Sequence, residues 1–507
     1  MNYQTALALR DLPQLKPIKA AIGDTDVMLI REGDNVRAYQ ATCPHAGAPL
    51  ENGAVCDGKL VCPWHKAVFD IRNGEMCEPL ALRDLKQYPV RIENGQVEVS
   101  PKAMSASSAF GQPGESPVWV VMGSGAAGSA AAWTLRREGF RGKLVLIDRE
   151  PEAPYDRTAL TKFVPAGKMA ISDVPAILGE DFLPYTQPMH GDVERLDSGE
   201  QQLHFADGAC LHYDKLLIAS GGVPQRPEIE GNALFGVHVL RSIEQADTLL
   251  QEVDKTQKLV IIGNSFIGME LASALRNKDI EVQVIARSTL PFKQQFGAEI
   301  AHFFRRLHEE NGVRFIEGEP AALEGEGQVS GVRLTSGKLI PAEVVLFATG
   351  VAPATGFIHD IPLLDDGSLE ADTFLQVAEN VWAAGDNVTW PGDTQPLRIE
   401  HYRVAHQLGR VAAKNMLGKQ EPFDRVPFFW TAQFGTRYEY LGHAEEWDAW
   451  QLFGSLQDKK FIAVYGYQDK LAAVFTCGLY TLSAELLQRM QQPMDMREAV
   501  EWITQRL

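Results

Sequence analysis

The sequence has no long hydrophobic run and a deficit of positive charge. No stretch approaches the roughly 18–20 apolar residues that a membrane-spanning helix needs, and charged residues such as Arg10, Lys16 and Lys19 interrupt the first 20 positions. We therefore expect neither a membrane span nor a secretory leader, and we expect a cytoplasmic protein. Lys and Arg total 48 against 66 Asp and Glu, a formal net charge of −18, which argues against nucleic acid as a partner.

Cysteine is also scarce. Six cysteines in 507 residues are too few for a disulfide scaffold, yet four of them fall between Cys43 and Cys77. This clustering indicates a metal site in a reducing compartment. The other two, Cys210 and Cys477, stand alone, and neither glycine-rich unit described below contains a Cys-x-x-Cys motif, which argues against disulfide reduction.

The succession of segments predicts a multidomain chain, because 507 residues correspond to three or four domains of about 150 residues. Residues 1–103 contain short alternating stretches broken by turn signals such as Asn94-Gly95, which predicts an all-β domain. Residues 104–116 are rich in Ser, Ala and Gly, and we interpret them as a flexible linker that lets this domain shuttle. We predict a first α/β domain in two parts (117–235 and 352–420), a second α/β domain (236–351), and a C-terminal α+β cap (421–507) that ends in a helix over 483–507.

Two short loops in the all-β domain each carry one cysteine and one histidine. Cys43-Pro44-His45 is followed, after 16 residues, by Cys62-Pro63-Trp64-His65. Two thiolates and two imidazoles could hold a tetrahedral zinc ion, or a two-iron cluster with cysteine on one iron and histidine on the other. Zinc sites usually use cysteine pairs and histidine pairs within a loop, whereas one of each per loop is what the asymmetric cluster requires. Plain packing of four unligated residues is the third interpretation.

These loops resemble those of Rieske domains over residues 5–100, and the resemblance extends to Gly47, Leu50, Trp64, Phe69, Asp70 and Gly74. It implies that Cys43 and Cys62 bind a buried iron, and that His45 and His65 bind an outer, more exposed one that forms the electron exit. High-potential Rieske domains carry an extra cysteine in each loop, and their places are taken here by Ala48 and Trp64. The resemblance therefore implies a low-potential, ferredoxin-type cluster. Lys66 stands where a Gly is usual, and we interpret it as part of a docking face.

A strand, a glycine-rich turn, a helix and a second strand succeed one another from residue 118 to 148. Gly123, Gly125 and Gly128 form the turn, the helix runs to Arg137, and the second strand ends at Asp148. Such glycines let a pyrophosphate approach a helix N-terminus, while an acidic residue at the strand end accepts from an adenosine ribose. We therefore predict a dinucleotide site that includes Asp148 and the adjacent Arg149.

The same pattern returns about 140 residues later. Gly263, Ser265 and Gly268 follow a strand over 259–262, and we expect a helix to about Lys278 and a strand over 282–285. Ser265 replaces the middle glycine, where a small side chain can be tolerated or can loosen the turn. The second strand ends in Ala286-Arg287-Ser288 rather than in an acid, so Arg287 is a candidate partner for the 2′-phosphate of NADPH. Related reductases that lack the acid also use NADH, and Arg287 is otherwise a solvated surface residue.

Further motifs resemble the two-dinucleotide flavoprotein family over residues 117–450, and more narrowly flavoprotein reductases of the ferredoxin-reductase and apoptosis-inducing-factor-like type. They are Pro154-Tyr155-Asp156-Arg157, Ala219-Ser220-Gly221, Ala348-Thr349-Gly350 and Ala383-Ala384-Gly385-Asp386. The resemblance implies FAD on the first unit and a nicotinamide nucleotide on the second. The binding residues that it implies are Arg157, Lys162, Glu270, Gly350, Gly385, Asp386, Glu400, His401 and Trp430.

Among these residues the candidate catalytic ones are Lys162, Glu270 and Trp430. The resemblance implies that Lys162 contacts the flavin, that Glu270 lies near the nicotinamide, and that Trp430 stacks by the isoalloxazine. From the residues alone, Glu270 could instead be a carboxylate that favours the dipole of its helix start, and Trp430 a plain core aromatic.

A hydride-donor site, a flavin and a one-electron cluster in one chain predict an FAD-dependent NAD(P)H oxidoreductase. We expect electrons to pass from NAD(P)H through FAD to the cluster, and then to a protein acceptor such as a Rieske-type oxygenase or demethylase, a cytochrome or a ferredoxin. Two alternatives are a redox sensor that binds NAD(P)H without rapid turnover and a component of a larger assimilatory reductase. A homodimer is a further expectation.

Overall fold

The computed structural model describes residues 2–104, 110–276, 278–392 and 395–507. Within residues 2–104 the strands form antiparallel sheets, as alternating short segments separated by tight turns require. One sheet combines Gln4–Ala8, Gln96–Val99 and Val90–Glu93, and a second combines Ile18–Ile22, Thr25–Glu32, Asn35–Gln40 and Gln87–Tyr88. A third contains Ala54–Cys56, Lys59–Val61, Val68–Asp70 and Met76–Glu78. The two Cys/His loops flank this third sheet.

The described residues of the predicted linker, 104 and 110–116, are held by contacts to the neighbouring domains. The Met104 amide donates to the Gln87 carbonyl oxygen at 2.8 Å, so residue 104 still belongs to the N-terminal domain. Phe110 packs its ring 5.1 Å from both Phe182 and Tyr185 in the first α/β domain. Residues 105–109 of the predicted linker lie outside the described residues. The described residues 110–116 therefore belong to the surface of the first α/β domain and are not a free tether.

The first α/β domain is built on a six-stranded sheet. Its strands, in spatial order, are Gln187–His190, Lys143–Asp148, Val118–Met122, Lys215–Ile218, Val381–Ala383 and Gln376–Ala378, and only the last pair is antiparallel. Helix α1 (Ala126–Arg137) follows the first glycine turn and ends at the predicted residue. A meander of Val193–Asp197, Gln202–Phe205 and Cys210–His212 lies beside the sheet. The glycine turn thus opens at the carboxyl end of the parallel strands, where ligands of this fold class bind.

The second α/β domain repeats this plan. Its parallel sheet has the order Val237–His238, Val344–Phe347, Lys258–Ile262, Glu281–Ala286 and Arg314–Glu317. The helices are α2 (Ile243–Val253), α3 (Phe266–Leu275) and α4 (Lys293–Glu310), and the attached meander contains Pro320–Glu326, Gln328–Leu334 and Leu339–Pro341. Helix α3 ends at Leu275, three residues before the predicted end. The strands Gly222–Pro224 and Val351–Pro353 pair where the chain crosses between the two α/β domains, directly after the glycines that mark the crossings.

After the second domain the chain returns to the first one. The short strands Leu369–Glu370 and Val388–Thr389 pair with each other, and helix α5 (Tyr402–Met416) then packs against α1. The two helices approach closely at Gly409, because a Cβ atom there would lie 2.0 Å from the Ala127 carbonyl oxygen. The middle of α5 therefore packs against the start of α1, directly after the first glycine turn.

The C-terminal domain is a five-stranded antiparallel sheet covered by two helices. The strands follow the order Phe428–Gln433, Thr436–Gly442, Lys470–Cys477, Lys460–Tyr467 and Ala449–Ser455. The single helix predicted over 483–507 is wrong, since the structure has α6 (Tyr480–Arg489) and α7 (Met496–Thr504) instead. Pro493 lies between them, and proline lacks the amide that a continuous helix requires. Within the described part of the chain, no helix is long and apolar enough to cross a membrane.

Candidate functional site

The two Cys/His loops have the same backbone closure. The Cys43 amide donates to the Ala48 carbonyl oxygen and the Cys62 amide to the Ala67 carbonyl oxygen, each five residues ahead and each at 2.8 Å. Both thiols are buried and hydrogen-bonded to each other. Each sulfur also accepts from two backbone amides of its own loop, which are those two and three residues ahead. The loops therefore provide amide donors to sulfur.

The two thiols differ in their protonation. The hydrogen bond with Cys62, and then burial, raise the pKa of Cys43 well above its ordinary value. Burial alone would also raise the pKa of Cys62, but the hydrogen bond from Cys43 and the amides of Trp64 and His65 lower it to about 6. A thiolate that is already stabilised next to a thiol suits a metal-binding cysteine pair.

The two histidines form a second pair. His45 Nδ1 and His65 Nδ1 lie 3.0 Å apart, and the ring planes meet at 83°. Across the described ranges, no three His, Cys, Asp or Glu side chains converge on one point, as a single zinc ion would need. Two pairs with two donors each instead match a two-iron cluster, in which each iron takes two protein ligands. The residues present therefore fit a Rieske-type cluster.

The histidine pair faces the interior of the protein, although it is more exposed than the cysteine pair, and its role as the electron exit stays a prediction. His65 is only 8% exposed, and its ring lies 5.0 Å from the Trp430 ring in the C-terminal domain. His45 Nε2 lies 3.8 Å from Asp156 Oδ2 in the first α/β domain. Both histidines are therefore directed at the other domains, because these domains pack over that side of the loops.

Lys66 docks the N-terminal domain onto the C-terminal domain of the same chain. Its backbone takes the left-handed conformation (φ 58°), and its ammonium is fully buried. Lys66 Nζ lies 3.1 Å from Glu439 Oε2 and donates to the carbonyl oxygens of Pro63 and Tyr480 at 2.9 and 3.2 Å. Lys66 thus lies in an internal interface between two domains of the same chain, and not on an outer face.

A second set of charged contacts ties the N-terminal domain to helix α5. Glu78 accepts from Arg425 Nε at 2.8 Å and from Gln407 Nε2 at 3.0 Å. Burial alone would raise the pKa of Glu78, but Arg410, Arg425 and Arg403 hold it below its ordinary value. The carboxylate is therefore ionised inside the interface and attracts three arginines, which favours a docked domain over a shuttling one.

One cavity of about 370 Å³ lies against the first glycine turn. Gly123 (φ 100°) permits the turn, since a Cβ atom would meet the Ala219 carbonyl oxygen at 2.2 Å, whereas a Cβ on Gly125 would meet no atom within 4 Å. Open space above the middle glycine, at the start of α1, is what a pyrophosphate needs. The predicted residues that line this cavity are Gly123, Gly125, Asp148, Arg149, Arg157, Lys162, Glu270, Gly385, Asp386, Glu400, His401 and Trp430. Gly128 does not line it and serves the close contact between α1 and Gly123.

Lys162, Glu270 and Trp430 meet in this cavity although they come from three domains. Lys162 Nζ lies 2.9 Å from Glu270 Oε2 and 4.9 Å from the centre of the Trp430 ring. Glu270 is 5% exposed and accepts from Thr161 Oγ1 at 2.6 Å and from Thr431 Oγ1 at 2.8 Å. Glu270 is therefore a buried ion-pair partner in the middle of α3, which disfavours a helix-dipole role.

The other predicted cavity residues are held by hydrogen bonds within the protein. Asp148 accepts from the amide and the hydroxyl of Ser124 at 2.7 and 2.5 Å, and Arg157 pairs with Glu150 at 2.7 Å. Asp386 pairs with Arg241 at 2.6 Å. These contacts fix the walls of the cavity, while their predicted roles toward FAD stay predictions.

Two of the predicted residues stand at the start of α5. Burial lowers the pKa of His401 to about 3, and burial followed by Asp386 raises that of Glu400. His401 is therefore neutral near pH 7. Its Nδ1 atom is buried without a hydrogen-bond partner among the described residues.

The second glycine turn differs from the prediction in two ways. Ser265 does not loosen it, because Ser265 Oγ accepts from the Gly268 amide at 3.4 Å and donates to the Ala348 carbonyl oxygen at 2.9 Å as the cap of α3. Arg287 is exposed, but Glu319 Oε1 accepts from its Nε at 2.8 Å. A carboxylate thus does lie beside Arg287, on the segment that follows the neighbouring strand. Gly263 and Gly350 adopt φ near 100° at this edge of the domain.

Four partners of the site were not predicted as site residues. Thr161 and Thr431 hold Glu270, Arg241 holds Asp386, and Asp156 approaches His45. Asp156 and Thr161 stand next to residues that the motifs identified, so proximity to Arg157 and Lys162 was the available signal. Thr431 and Arg241 are brought in by long-range packing.

Comparisons with known proteins agree with this architecture. Residues 2–89 match the Rieske [2Fe-2S] domain and residues 118–409 match the pyridine nucleotide-disulphide oxidoreductase family. Mouse apoptosis-inducing factor 3 is 32% identical over 493 residues, which cover 93% of this chain and 81% of that protein. The biphenyl dioxygenase system ferredoxin–NAD(+) reductase component of Paraburkholderia xenovorans is 34% identical over 334 residues, 64% of this chain and 81% of its own length.

A solved structure shares the fold. The ferredoxin reductase for the CYP199A2 system from Rhodopseudomonas palustris superimposes with a TM-score of 0.70 at 23% identity, covering 75% of this chain and 96% of that one. The family matches confirm the predicted cofactors, which are FAD, NAD(P)H and a 2Fe-2S cluster. The chain belongs to the pyridine nucleotide-disulphide oxidoreductase family, as an FAD-dependent oxidoreductase with a Rieske domain at its N-terminus.

Proposed function

We propose that this oxidoreductase passes electrons from NAD(P)H, by way of FAD and the Rieske cluster, to an external protein acceptor. One observation carries the proposal. The Trp430 ring lies 4.9 Å from Lys162 Nζ in the dinucleotide cavity and 5.0 Å from the ring of His65, a predicted cluster ligand. A single side chain thus contacts both candidate redox sites, which supports electron transfer within the docked chain.

The electron count determines what the chain must do. Oxidation of one NAD(P)H to NAD(P)⁺ and a proton releases two electrons, which two one-electron acceptors take up in turn. FAD, when bound, supplies the conversion between two-electron and one-electron chemistry. The Lys162–Glu270 pair fixes a buried positive and negative charge in the cavity wall. The start of α5 directs its backbone amides at the cavity and favours negative charge there.

The nucleotide and the acceptor follow from further observations. Glu319 beside Arg287 favours NADH, because a carboxylate there repels a 2′-phosphate and neutralises the arginine. We infer a one-electron protein acceptor, such as a Rieske-type oxygenase or demethylase, a cytochrome or a ferredoxin. The related reductases from the biphenyl dioxygenase system and the 5,5′-dehydrodivanillate O-demethylase system support this class. The free cysteines support a reducing, cytoplasmic location, and a homodimer stays a prediction.

The test is an anaerobic addition of NADH, and separately of NADPH, to the holoprotein. Flavin bleaching is followed optically, and cluster reduction by electron paramagnetic resonance (EPR). We expect rapid bleaching, then the signal of a reduced Rieske cluster, with NADH faster than NADPH. A flavin that stays oxidised, or a cluster that stays oxidised beside a fully reduced flavin, would overturn the proposal and favour an NAD(P)H sensor.

A further inference from the structure

Asp156 belongs to the first α/β domain but reaches the predicted cluster ligand His45. It caps a 3₁₀ turn, Arg157–Thr161, by accepting from the Thr158 amide at 2.9 Å. Its Oδ2 atom lies 3.8 Å from His45 Nε2, and each of the two side chains is 15% exposed. The same short segment provides Arg157 and Lys162 to the dinucleotide cavity. This segment is therefore a wall between the two redox sites, with Asp156 on the cluster side.

The orientation of the His45 ring gives this contact its meaning. His45 Nδ1 points at His65 Nδ1, so Nδ1 is the nitrogen available to an iron, and Nε2 is the outer nitrogen. The outer nitrogen of a metal-bound histidine usually donates to a carboxylate, which fixes the ring and makes it a stronger electron donor. The Tyr402 hydroxyl contacts the same carboxylate and adds a second restraint on it.

We propose that Asp156 is a positioning residue of the Rieske centre, supplied by the neighbouring domain, which lowers the reduction potential of the cluster in the docked chain. The oxidised cluster carries one more positive charge than the reduced one, so a carboxylate behind its ligand stabilises the oxidised state. The inference rests on the proposed function, because a lowered cluster potential affects catalysis only if electrons pass through the cluster. Its test does not depend on NAD(P)H.

The experiment is a redox titration of the full-length holoprotein with dithionite and mediators at one fixed pH, with the cluster followed by EPR. Asp156→Asn removes the charge and keeps an oxygen that can accept from Thr158. We expect the equilibrium constant for cluster reduction to rise about tenfold, which corresponds to 59 mV for one electron. Pulsed EPR should also show changed couplings of a histidine nitrogen, which a purely structural role would not alter.

The matched control is Asp84→Asn. Asp84 is a carboxylate in the same interface, but it accepts from the Met76 amide and pairs with Arg137 at 2.8 Å. If Asp156→Asn changes the equilibrium constant by less than threefold, or no more than Asp84→Asn does, the inference is overturned. If Asp156→Asn loses its cluster, Asp156→Ser, which can also cap the turn, is titrated against the same thresholds. If the equilibrium constant for cluster reduction shifts as expected but NAD(P)H fails to reduce the flavin, this inference is upheld and the proposed function is refuted.

Discussion

Removal of the Glu439 charge tests whether the N-terminal domain is locked in place. Glu439 and Lys66 are both fully buried and lie 3.1 Å apart, and Glu439 also pairs with Arg437 at 2.9 Å and accepts from Ser483 Oγ at 2.5 Å. In Glu439→Gln the Lys66 ammonium loses its only described carboxylate partner in an interface without solvent. Removing one partner of such a buried pair typically costs about 3–5 kcal/mol.

We expect Glu439→Gln to lose most of this free energy of unfolding, because the Lys66 ammonium cannot turn to solvent. Arg437, the second cation that pairs with Glu439, is partly exposed. The assay is chemical unfolding of the holoprotein, together with stopped-flow measurement of cluster reduction after flavin reduction. Both the free energy of unfolding and the rate of cluster reduction should fall. Asp181→Asn is the control, since the Arg83–Asp181 pair crosses to the N-terminal domain at 3.4 Å but is largely exposed and is expected to contribute about 1 kcal/mol or less. Equal losses in the two variants would refute the buried-pair argument.

Three further predictions concern single side chains. Trp430→Leu should slow cluster reduction about tenfold or more while flavin reduction by NADH changes little, because the ring spans Lys162 and His65; parallel slowing of both steps in stopped-flow traces would contradict this. Glu319→Gln should raise the NADPH/NADH ratio of kcat/KM about tenfold, because it removes one half-exposed negative charge beside Arg287; the change corresponds to about 1.4 kcal/mol. Glu317→Gln, on the same edge of the sheet, is the control and should leave the ratio unchanged. Burial lowers the pKa of His308 to about 3. Below pH 6.5 the unfolded chain therefore binds a proton at His308 that the folded chain does not bind, and the free energy of unfolding falls as the pH falls. His308→Gln should reduce this slope by about 1.4 kcal/mol per pH unit between pH 6 and 4, and identical slopes in unfolding curves would count against it.

Local patterns predicted much of the fold. Helix α1 and the strands Val118–Met122 and Lys143–Asp148 follow from apolar runs interrupted by glycine, and the structure agrees with them to within a residue. The C-terminal helix was predicted too long, because amphipathic spacing continues across Pro493 while the backbone hydrogen bonds do not. Sequence periodicity reports which face is buried, and backbone chemistry decides where the helix ends.

The candidate site was predictable only where its residues are close in sequence. Cys43, His45, Cys62 and His65 have a diagnostic spacing, so the pairs in the structure were expected. The direction in which the histidines face was not, because the covering surface comes from Asp156 and Trp430 in other domains. The acid beside Arg287 was missed for the same reason, since Glu319 is 32 residues away along the chain. Contacts between domains leave no periodic signal in either partner.

The Lys66–Glu439 contact also sets an order of assembly during synthesis. The two residues are 373 positions apart, which at 5–20 residues per second corresponds to about 20–75 s between their emergence from the ribosome. The new N-terminal domain spends this interval without the strand that carries Trp430 and without α6, whose Thr481 hydroxyl later donates to the Asn52 carbonyl oxygen. Its Cys/His loops are therefore more open to iron and sulfur delivery before the C-terminal domain is made than after Trp430 covers His65.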